Sequence, residues 1–227
     1  FGNWLENIKD WAISRNRYWG TPLNIWKCDK CNHTLSVGSR KELKELAIED
    51  IDENIELHRP YVDDVHIRCP ECGEIMTREK DVIDVWFDSG TTHYAVLRER
   101  EELQDPADLY LEGSDQHRGW FQSSLLTSIA INERAPYKGL LTHGFVVDEK
   151  GRKMSKSLGN IITPQDIIKD MGADGLRFWI ASADYRYEMT AGKEIFSRAS
   201  DGYRRIRNTL RFLLANLNGF KPSTDAL

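Results

Sequence analysis

The spacing of apolar residues predicts a helix near the start of the chain and alternating strands and helices further on. Apolar side chains recur every three or four positions over residues 3–13, which is typical of an amphipathic helix, and the run at 11–14 favours a short strand. After residue 80, apolar runs predict strands at 82–87, 108–111 and 139–147. A helix is predicted between the second and third of these strands, at 120–132. Strand, helix and strand at this spacing favour a βαβ unit in a parallel sheet, where ligands bind beyond the carboxyl ends of the strands.

Two further helices carry capping signals at their starts. Ser39 precedes a helical pattern at 40–47 and has Glu42 three residues later, as in a capping box. Thr163 followed by Pro164 begins a second helix, after which the chain is mostly helical. The last helix has an apolar stripe, formed by Ile206, Leu210, Leu213 and Leu217. Its separate arginine face is formed by Arg204, Arg207 and Arg211. These arginines are either ordinary solvated residues or contacts to an RNA backbone.

Composition restricts the class of protein. With 227 residues and 40% apolar residues, the chain can form one large domain with a smaller appendage. No apolar run approaches the roughly 20 residues of a membrane span, and the start lacks the layout of a signal peptide, so we expect a cytoplasmic protein with no membrane partner. A net charge of −5 means that any RNA contact is local. Because it begins with Phe1, the chain is expected to be part of a longer protein.

All four cysteines lie in residues 21–80, a charged segment that indicates an insertion with its own small core. They form two C-x-x-C pairs, Cys28 with Cys31 and Cys69 with Cys72. Four thiolates complete a tetrahedral zinc site and leave no position for water, so the metal would be structural. Reduced free thiols or a redox pair are the alternatives, whereas a disulfide scaffold is disfavoured in a cytoplasmic chain of this size.

Residues 151–160 have the composition of a mobile anion-binding loop. Glycines flank three cations and two hydroxyls that fall within six residues. Lysine ammonium groups can follow charge onto a leaving phosphate, and glycine ends allow a loop to close. The residue order of a Walker loop is absent. Composition alone would equally describe a solvated basic turn.

The full string Lys153-Met154-Ser155-Lys156-Ser157 matches the K-M-S-K-S signature of the class I aminoacyl-tRNA synthetases. Three further segments, at 11–22, 84–90 and 112–121, resemble the isoleucine-specific enzymes of that family. Chance agreement over four separated blocks is very improbable. The valine and leucine enzymes share this plan, but they are expected to differ around Trp86 and Glu112.

The resemblance implies an α/β fold. The chain would be the second half of a Rossmann-like, parallel-sheet nucleotide-binding domain with an inserted zinc ribbon and a C-terminal helical segment. In the implied arrangement, residues 1–20 return from the editing insertion and residues 21–80 form the zinc ribbon. Residues 81–150 form the second Rossmann-like half, and residues 151–160 form the KMSKS loop. Residues 161–227 form a helical stem-contact region that leads into the anticodon-binding domain.

The resemblance also implies a reaction, in which isoleucine and ATP form isoleucyl-adenylate and the isoleucyl group is transferred to tRNA(Ile). Lys153 and Lys156 would stabilise charge on the reacting phosphates, with Lys156 in direct contact with ATP, and Mg²⁺ would accompany the nucleotide. Trp86 and Trp120 would form walls of the isoleucine pocket. The implied adenylate contacts are Glu112, Gly113, Asp115, Gln116, His143, Gly144, Met154, Ser155 and Ser157.

Three features depart from the family pattern. The chain contains no H-x-G-H motif and no editing domain, and Asn24 stands where a second proline is expected. The fragment alone is therefore expected to be inactive or nearly so, and to work with the remaining domains of the same synthetase. Two competing hypotheses are a fragment of a valyl- or leucyl-type synthetase, and a non-catalytic zinc-ribbon module that binds RNA or protein through its basic helices.

Overall fold

A computed structural model describes residues 1–225, which form two compact units. The first unit consists of Phe1–Tyr110 and Asp115–Leu140, and the second of Leu111–Ser114 and the described residues from Leu141 onward. The predicted helical region 161–227 has its last two residues outside the described part of the chain.

Helices and strands alternate through much of the chain, so its content is mixed α/β. Up to residue 90 the elements are α1 Gly2–Glu6, β1 Ser14–Arg15, β2 Ile25–Lys27, β3 Thr34–Ser36, α2 Arg40–Leu46, β4 Ile67–Arg68, β5 Ile75–Arg78, β6 Val82–Ile83 and α3 Val85–Gly90. Then come a π-helix at His93–Leu97, β7 Ala107–Gly113, a 3-10 helix at Ser114–Arg118, α4 Trp120–Asn132, β8 Tyr137–His143, β9 Val146–Val147, α5 Pro164–Ser182, β10 Met189–Thr190, α6 Lys193–Asn216 and α7 Pro222–Asp225.

A four-stranded antiparallel sheet in the order β3-β2-β5-β4 has its own apolar core. The buried residues of this core all come from positions 26–76. Trp26 is 2% exposed, and its indole N–H donates to the carbonyl of Val65 at 2.8 Å. Leu43 of α2 and Met76 of β5 are also fully buried. The core thus holds together the segment that carries the four cysteines.

The predicted helix starts are confirmed. The Ser39 hydroxyl accepts a hydrogen bond from the Glu42 N–H at 3.1 Å, which caps α2. The Glu42 carboxylate bonds to the N–H of Gly38 at 2.7 Å. Thr163 and Asp166 form a complete capping box at the start of α5, with proline in the first turn. Local side chains therefore fix both helix starts, as their spacing predicts.

The strand predicted over 82–87 is wrong in its second half. Only β6 is extended, and it pairs antiparallel with β1. Asp84 then starts α3, because its carboxylate accepts a hydrogen bond from the Trp86 N–H at 2.7 Å. A short acidic side chain that satisfies a free N–H group favours a helix start over continued strand.

Two other predicted elements are shorter than expected. The strand predicted over 139–147 is divided into β8 and β9, because the Gly144 N–H between them donates to the Tyr185 carbonyl at 2.9 Å. The helix predicted over 3–13 covers only α1, since Asn7 leaves the helical conformation with φ −116°.

The predicted βαβ unit consists of β7, α4 and β8. The N–H of Ala107 donates to the carbonyl of Pro136 at 2.9 Å, so the paired strands start side by side and run in the same direction. Beneath α4, the Tyr110 hydroxyl bonds to the Ser124 hydroxyl at 3.0 Å, and Phe121 is completely buried. Within residues 1–225, no third strand joins this pair.

The C-terminal helices α5 and α6 pack through aromatic side chains. The rings of Trp179 and Phe196 meet edge to face with centroids 5.0 Å apart. The apolar stripe predicted on α6 is exposed, with Leu210 54% exposed. On the arginine face, Arg204 pairs with Asp201 at 3.4 Å. Of the helices in the described residues, none has the length and apolar character needed to cross a membrane.

Candidate active site and metal centre

The loop at 153–157 follows a tight hairpin. Asp148 donates its N–H to the Arg152 carbonyl at 2.9 Å, and the Gly151 N–H donates back to the Asp148 carbonyl at 2.9 Å. Gly151 has φ +73°, a conformation that favours glycine. A bridge between Val147 and Lys153 closes the hairpin, so the loop starts from fixed backbone.

The three cations of this segment have different surroundings. The Arg152 guanidinium pairs with the Asp148 carboxylate at 2.8 Å. The Lys153 ammonium lies 4.8 Å from the centre of the Phe145 ring, a cation–π contact. Lys156 is exposed, and no acidic group in the described residues lies within ion-pair distance of it. Lys156 is therefore the cation most available to an incoming anion.

The two predicted hydroxyls of the loop contact each other. The Ser155 hydroxyl lies 3.1 Å from the Ser157 hydroxyl and accepts a hydrogen bond from the Leu158 N–H at 3.3 Å. Met154 between these polar residues is half-buried. Beyond the loop, Gly159 has φ +63° and donates its N–H to the Lys156 carbonyl at 3.2 Å.

Two residues that sequence reasoning did not single out hold this loop. The Asp148 carboxylate accepts from the amide of Asn160, then from the backbone and guanidinium of Arg152, and these hydrogen bonds hold the pKa of Asp148 well below its usual range. Asn160 in turn accepts from the Ser155 N–H at 2.9 Å. The available sequence signal was an aspartate four residues before Arg152, at the start of a glycine-containing turn.

His143 and Gly144 line an apolar cavity of about 640 Å³ in the second unit, together with Phe145 and Trp179. The His143 ring nitrogen Nδ1 lies 2.8 Å from the Gly144 carbonyl oxygen. A Cβ atom at Gly144 would collide with the Tyr187 carbonyl, so the close approach of these two backbone segments requires glycine. Because Lys153 contacts the neighbouring Phe145, the structure brings these predicted residues near the start of the loop.

The predicted adenylate segment lies at the end of β7 and in the 3-10 helix that follows. Glu112 is exposed and Gly113 is buried, and both belong to the second unit. Asp115, which is exposed, and Gln116 belong to the first unit. The Gln116 amide oxygen accepts from the Trp120 N–H at 3.2 Å and so satisfies a free N–H group at the start of α4.

Trp86 and Trp120 lie on two helices that are joined by a row of hydrogen bonds, which we call the α3–α4 seam. Side chains of α4 donate to backbone carbonyl groups of α3. The Ser123 hydroxyl donates to the Trp86 carbonyl at 2.6 Å, and the Trp120 indole N–H donates to the Ser89 carbonyl at 3.1 Å. The seam thereby ties side chains of α4 to the backbone of α3.

The two tryptophans have different surroundings. Trp86 is 38% exposed and lines a cavity of about 440 Å³ with Arg15, Trp19 and other residues of the first unit. The Trp120 ring stacks on Tyr110 with centroids 4.2 Å apart, and it is not among the residues lining that cavity. The structure therefore brings their helices together but gives only Trp86 a place in this cavity.

The four cysteines meet in one cluster, with all four sulfur atoms within 4.8 Å of one another. The Sγ atoms of Cys28 and Cys72 are 3.5 Å apart, as are those of Cys31 and Cys69. Tetrahedral zinc with Zn–S bonds of about 2.3 Å would place neighbouring sulfur atoms roughly 3.8 Å apart. A disulfide needs an S–S distance of about 2.05 Å. The cluster therefore has the dimensions of a four-thiolate metal site.

The two C-x-x-C turns have the same backbone geometry. The N–H of Asn32 donates to the Cys28 carbonyl at 2.9 Å, and the N–H of Gly73 donates to the Cys69 carbonyl at 2.9 Å. Asn32 and Gly73 both have positive φ, at 59° and 76°. The backbone N–H of Cys31 is the main cause that lowers the pKa of Cys28 to about 7. These turns hold the sulfur atoms in positions that suit a thiolate-bound metal.

The family model described as tRNA synthetases class I (I, L, M and V) matches residues 1–191. The chain therefore belongs to the class I tRNA synthetases. Its similarity within that family is to isoleucine–tRNA ligases, as its sequence blocks predict. The Acinetobacter baylyi ligase is 71% identical over 225 residues, which are 98% of this chain and 23% of that protein. The Aquifex aeolicus ligase is 48% identical over 98% of this chain and 24% of its own length.

This chain spans about a quarter of the length of these curated relatives. One similar solved structure is that of LeuRS from Agrobacterium radiobacter K84, in a ternary complex with tRNA and LeuAMS. It has a TM-score of 0.64 at 22% sequence identity and covers 96% of this chain and 31% of that chain. Together with the family match, this likeness shows that the chain has the class I synthetase catalytic fold.

Proposed function

We propose that this chain forms part of the catalytic domain of an isoleucine–tRNA ligase, which activates L-isoleucine with ATP and transfers the isoleucyl group to tRNA(Ile). The observation that carries the proposal is the 71% identity to an isoleucine–tRNA ligase over 98% of the chain. It favours isoleucine over valine or leucine as substrate. A separate RNA-binding zinc module would not account for identity that extends through the KMSKS loop.

In the activation step, a carboxylate oxygen of isoleucine attacks the α-phosphorus of ATP. The bond from that phosphorus to the bridging oxygen breaks, and pyrophosphate leaves with the additional negative charge. Lys156, exposed and without an acidic partner in the described residues, would contact the phosphates directly. Lys153 would support it, and the Ser155 and Ser157 hydroxyls would add hydrogen-bond donors. Bound Mg²⁺ would neutralise phosphate charge.

Other residues would bind the rest of the adenylate. His143 and Gly144 line the cavity of about 640 Å³, whose apolar walls suit a flat adenine ring. Glu112 and Asp115 would accept hydrogen bonds from ribose hydroxyls or the amino group of isoleucine. Gly113 would allow close backbone approach. The predicted contacts of Gln116 and Met154 are part of the same proposal.

Trp86 and Trp120 would form walls of the isoleucine side-chain pocket. The half-exposed ring of Trp86 beside a cavity supports this role. The indole N–H of Trp120 already bonds to Ser89, so Trp120 would contribute its apolar ring.

The regional assignments complete the proposal. The β7-α4-β8 unit supports a second half of a Rossmann-like domain over 81–150, and the cysteine cluster supports a structural zinc ribbon over 21–80 held by Cys28, Cys31, Cys69 and Cys72. Residues 1–20 would return from an editing domain, 151–160 form the KMSKS loop, and 161–227 lead through a stem-contact region into the anticodon-binding domain. The protein would act in the cytoplasm.

A hybrid ligase tests this function. In it, the matching segment of the Acinetobacter baylyi protein is replaced by this chain, and ATP–pyrophosphate exchange is measured with isoleucine, valine and leucine. We expect exchange that depends on isoleucine and is strongest with it. A folded hybrid that shows no isoleucine-dependent exchange, or that prefers valine or leucine, would contradict the proposal.

A further inference from the structure

We propose that Asp148 and Asn160 act as a positioning pair that fixes the 153–157 loop in the geometry needed for the reaction. The inference rests on the proposed ligase function, because it concerns the lysines assigned there to the phosphates. Neither residue is assigned a contact with substrate. Their role is to hold the backbone from which Lys153 and Lys156 extend.

Asn160 links three parts of the segment through one side chain. Its amide oxygen accepts from the Ser155 N–H at 2.9 Å. Its NH₂ group donates to the Asp148 carboxylate at 2.9 Å and is 3.4 Å from the Lys153 carbonyl. The amide accepts from one group and donates to the others at the same time, whereas an ionised aspartate of the same shape can only accept, so aspartate cannot replace it.

Asp148 is the acceptor of the pair, and its carboxylate is held within the hairpin by several hydrogen bonds. Its side chain is only 13% exposed, and its two oxygens accept from the N–H groups of Lys150 and Arg152 as well as from Asn160. The Arg152 guanidinium also bonds to this carboxylate, at 2.9 Å from Nε. Arg152 is thereby held within the hairpin instead of competing with the lysines for phosphate.

The pair restricts the backbone on both sides of Lys156. Asn160 holds the preceding residue, Ser155, by its N–H group. The Lys156 carbonyl accepts from the Gly159 N–H at 3.2 Å. The ammonium of Lys156 can move about its own side-chain bonds, whereas its starting point is fixed. Displacement of a reacting group by about 1 Å can cost roughly 100-fold in rate, so this restraint affects the chemical step.

The test compares Asn160→Asp, Asp148→Asn and the double exchange in the hybrid ligase. Asn160→Asp removes the NH₂ donor of the pair, and Asp148→Asn replaces one of two accepting oxygens by an NH₂ group that faces donors. The double exchange restores an amide donor and a carboxylate acceptor at the two positions. We expect each single variant to lower kcat for pyrophosphate exchange by about 10-fold or more, with the KM for isoleucine within about 2-fold of the parent. The double exchange should recover part of the loss. Asp170→Asn and Asn208→Asp are matched controls at exposed positions.

Amide hydrogen exchange supplies a readout that does not depend on activity. In Asn160→Asp, the Ser155 amide keeps an acceptor but the loop loses its tie to Asp148, so exchange over 153–158 should accelerate while α5 stays protected. If the single variants change neither kcat nor the rate of amide hydrogen exchange over 153–158, the positioning role of Asp148 and Asn160 is overturned. A loss of kcat in the double variant equal to that in the single variants would also overturn this role. If the parent hybrid lacks isoleucine-dependent exchange but the loop responds as expected, the proposed function fails and the pair stands.

Discussion

At the scale of single residues, three cations with similar chemistry have three different surroundings. Arg152 pairs with Asp148, Lys153 lies over the Phe145 ring, and Lys156 is exposed without an acidic partner in residues 1–225. The sequence predicts a cationic loop but gives no order of availability among its members. Their partners decide which ammonium or guanidinium group can respond to charge on a phosphate.

The first prediction separates these roles. In the hybrid ligase, Lys156→Ala should lower kcat for isoleucine-dependent exchange by about 100-fold without a change in thermal stability, because it removes charge stabilisation of the leaving group. Arg152→Ala should produce a smaller loss of kcat accompanied by a lower Tm. Exchange kinetics and calorimetry measure both. Similar kcat values for the two variants would contradict the assignment.

The second prediction concerns the pH dependence conferred by Asp148. Its pKa in the folded protein lies below the ordinary value of 3.8, first because of the Asn160 amide and then because of Arg152. The ionised carboxylate therefore contributes stability above pH 3.8, and this contribution is lost as pH falls through the lowered pKa. Asp148→Asn should be less stable than the parent at pH 7, and the gap should narrow in urea titrations below pH 3.8. A gap that stays constant would contradict this expectation.

At the scale of elements, the α3–α4 seam connects a short helix to a longer one. Gly90 permits this contact, since a Cβ atom there would lie 2.6 Å from the Ser123 hydroxyl oxygen. Thr127 continues the row with a 3.4 Å hydrogen bond to the Gly90 carbonyl. The seam holds the backbone of Trp86, so it links helix packing to the proposed isoleucine pocket.

The third prediction tests the seam by mutation. Ser123→Ala should lower the free energy of unfolding by about 1 kcal/mol, the typical net value of one hydrogen bond. Gly90→Ala should cost more, about 1 to 3 kcal/mol, because the added methyl group overpacks the contact. Both should raise the KM for isoleucine in the hybrid ligase. Ser200→Ala on α6 is the control, and equal effects from Ser123 and Ser200 would rule out a special role for the seam.

The fourth prediction concerns the two cysteine turns. Protein purified without chelator should contain about one equivalent of zinc, because four thiolates saturate one tetrahedral ion. Cys72→Ser should reduce the zinc content and expose Trp26, which would shift its fluorescence to longer wavelength. Lys27→Ser, at an exposed position in β2, is the control. Full zinc content in the Cys72 variant would contradict a four-thiolate site.

At the scale of the whole molecule, the chain has the class I synthetase catalytic fold and spans about a quarter of its curated relatives. The chain carries the KMSKS loop but contains no H-x-G-H motif. In the family, that motif supplies the other contacts to the ATP phosphates. We therefore expect the proposed ligase activity to require residues beyond those of this chain.

The fifth prediction is that the isolated chain, once folded, shows no isoleucine-dependent pyrophosphate exchange under conditions in which the hybrid ligase is active. The physical reason is that one side of the phosphate site cannot alone hold ATP in line with the attacking carboxylate. Exchange by the isolated chain at a rate close to that of the hybrid would show that the loop side is sufficient.

The sequence by itself determined what depends on neighbouring residues. The capping signals of α2 and α5, the C-x-x-C pairs and the KMSKS string each act within a few positions, so their spacing predicts them. Only the tertiary structure decided the partners that are distant in the chain. Ser123 reaches Trp86 across 37 positions, and Asn160 reaches Asp148 across 12. Spacing cannot predict such contacts, because the packing of separate elements decides which donors and acceptors meet.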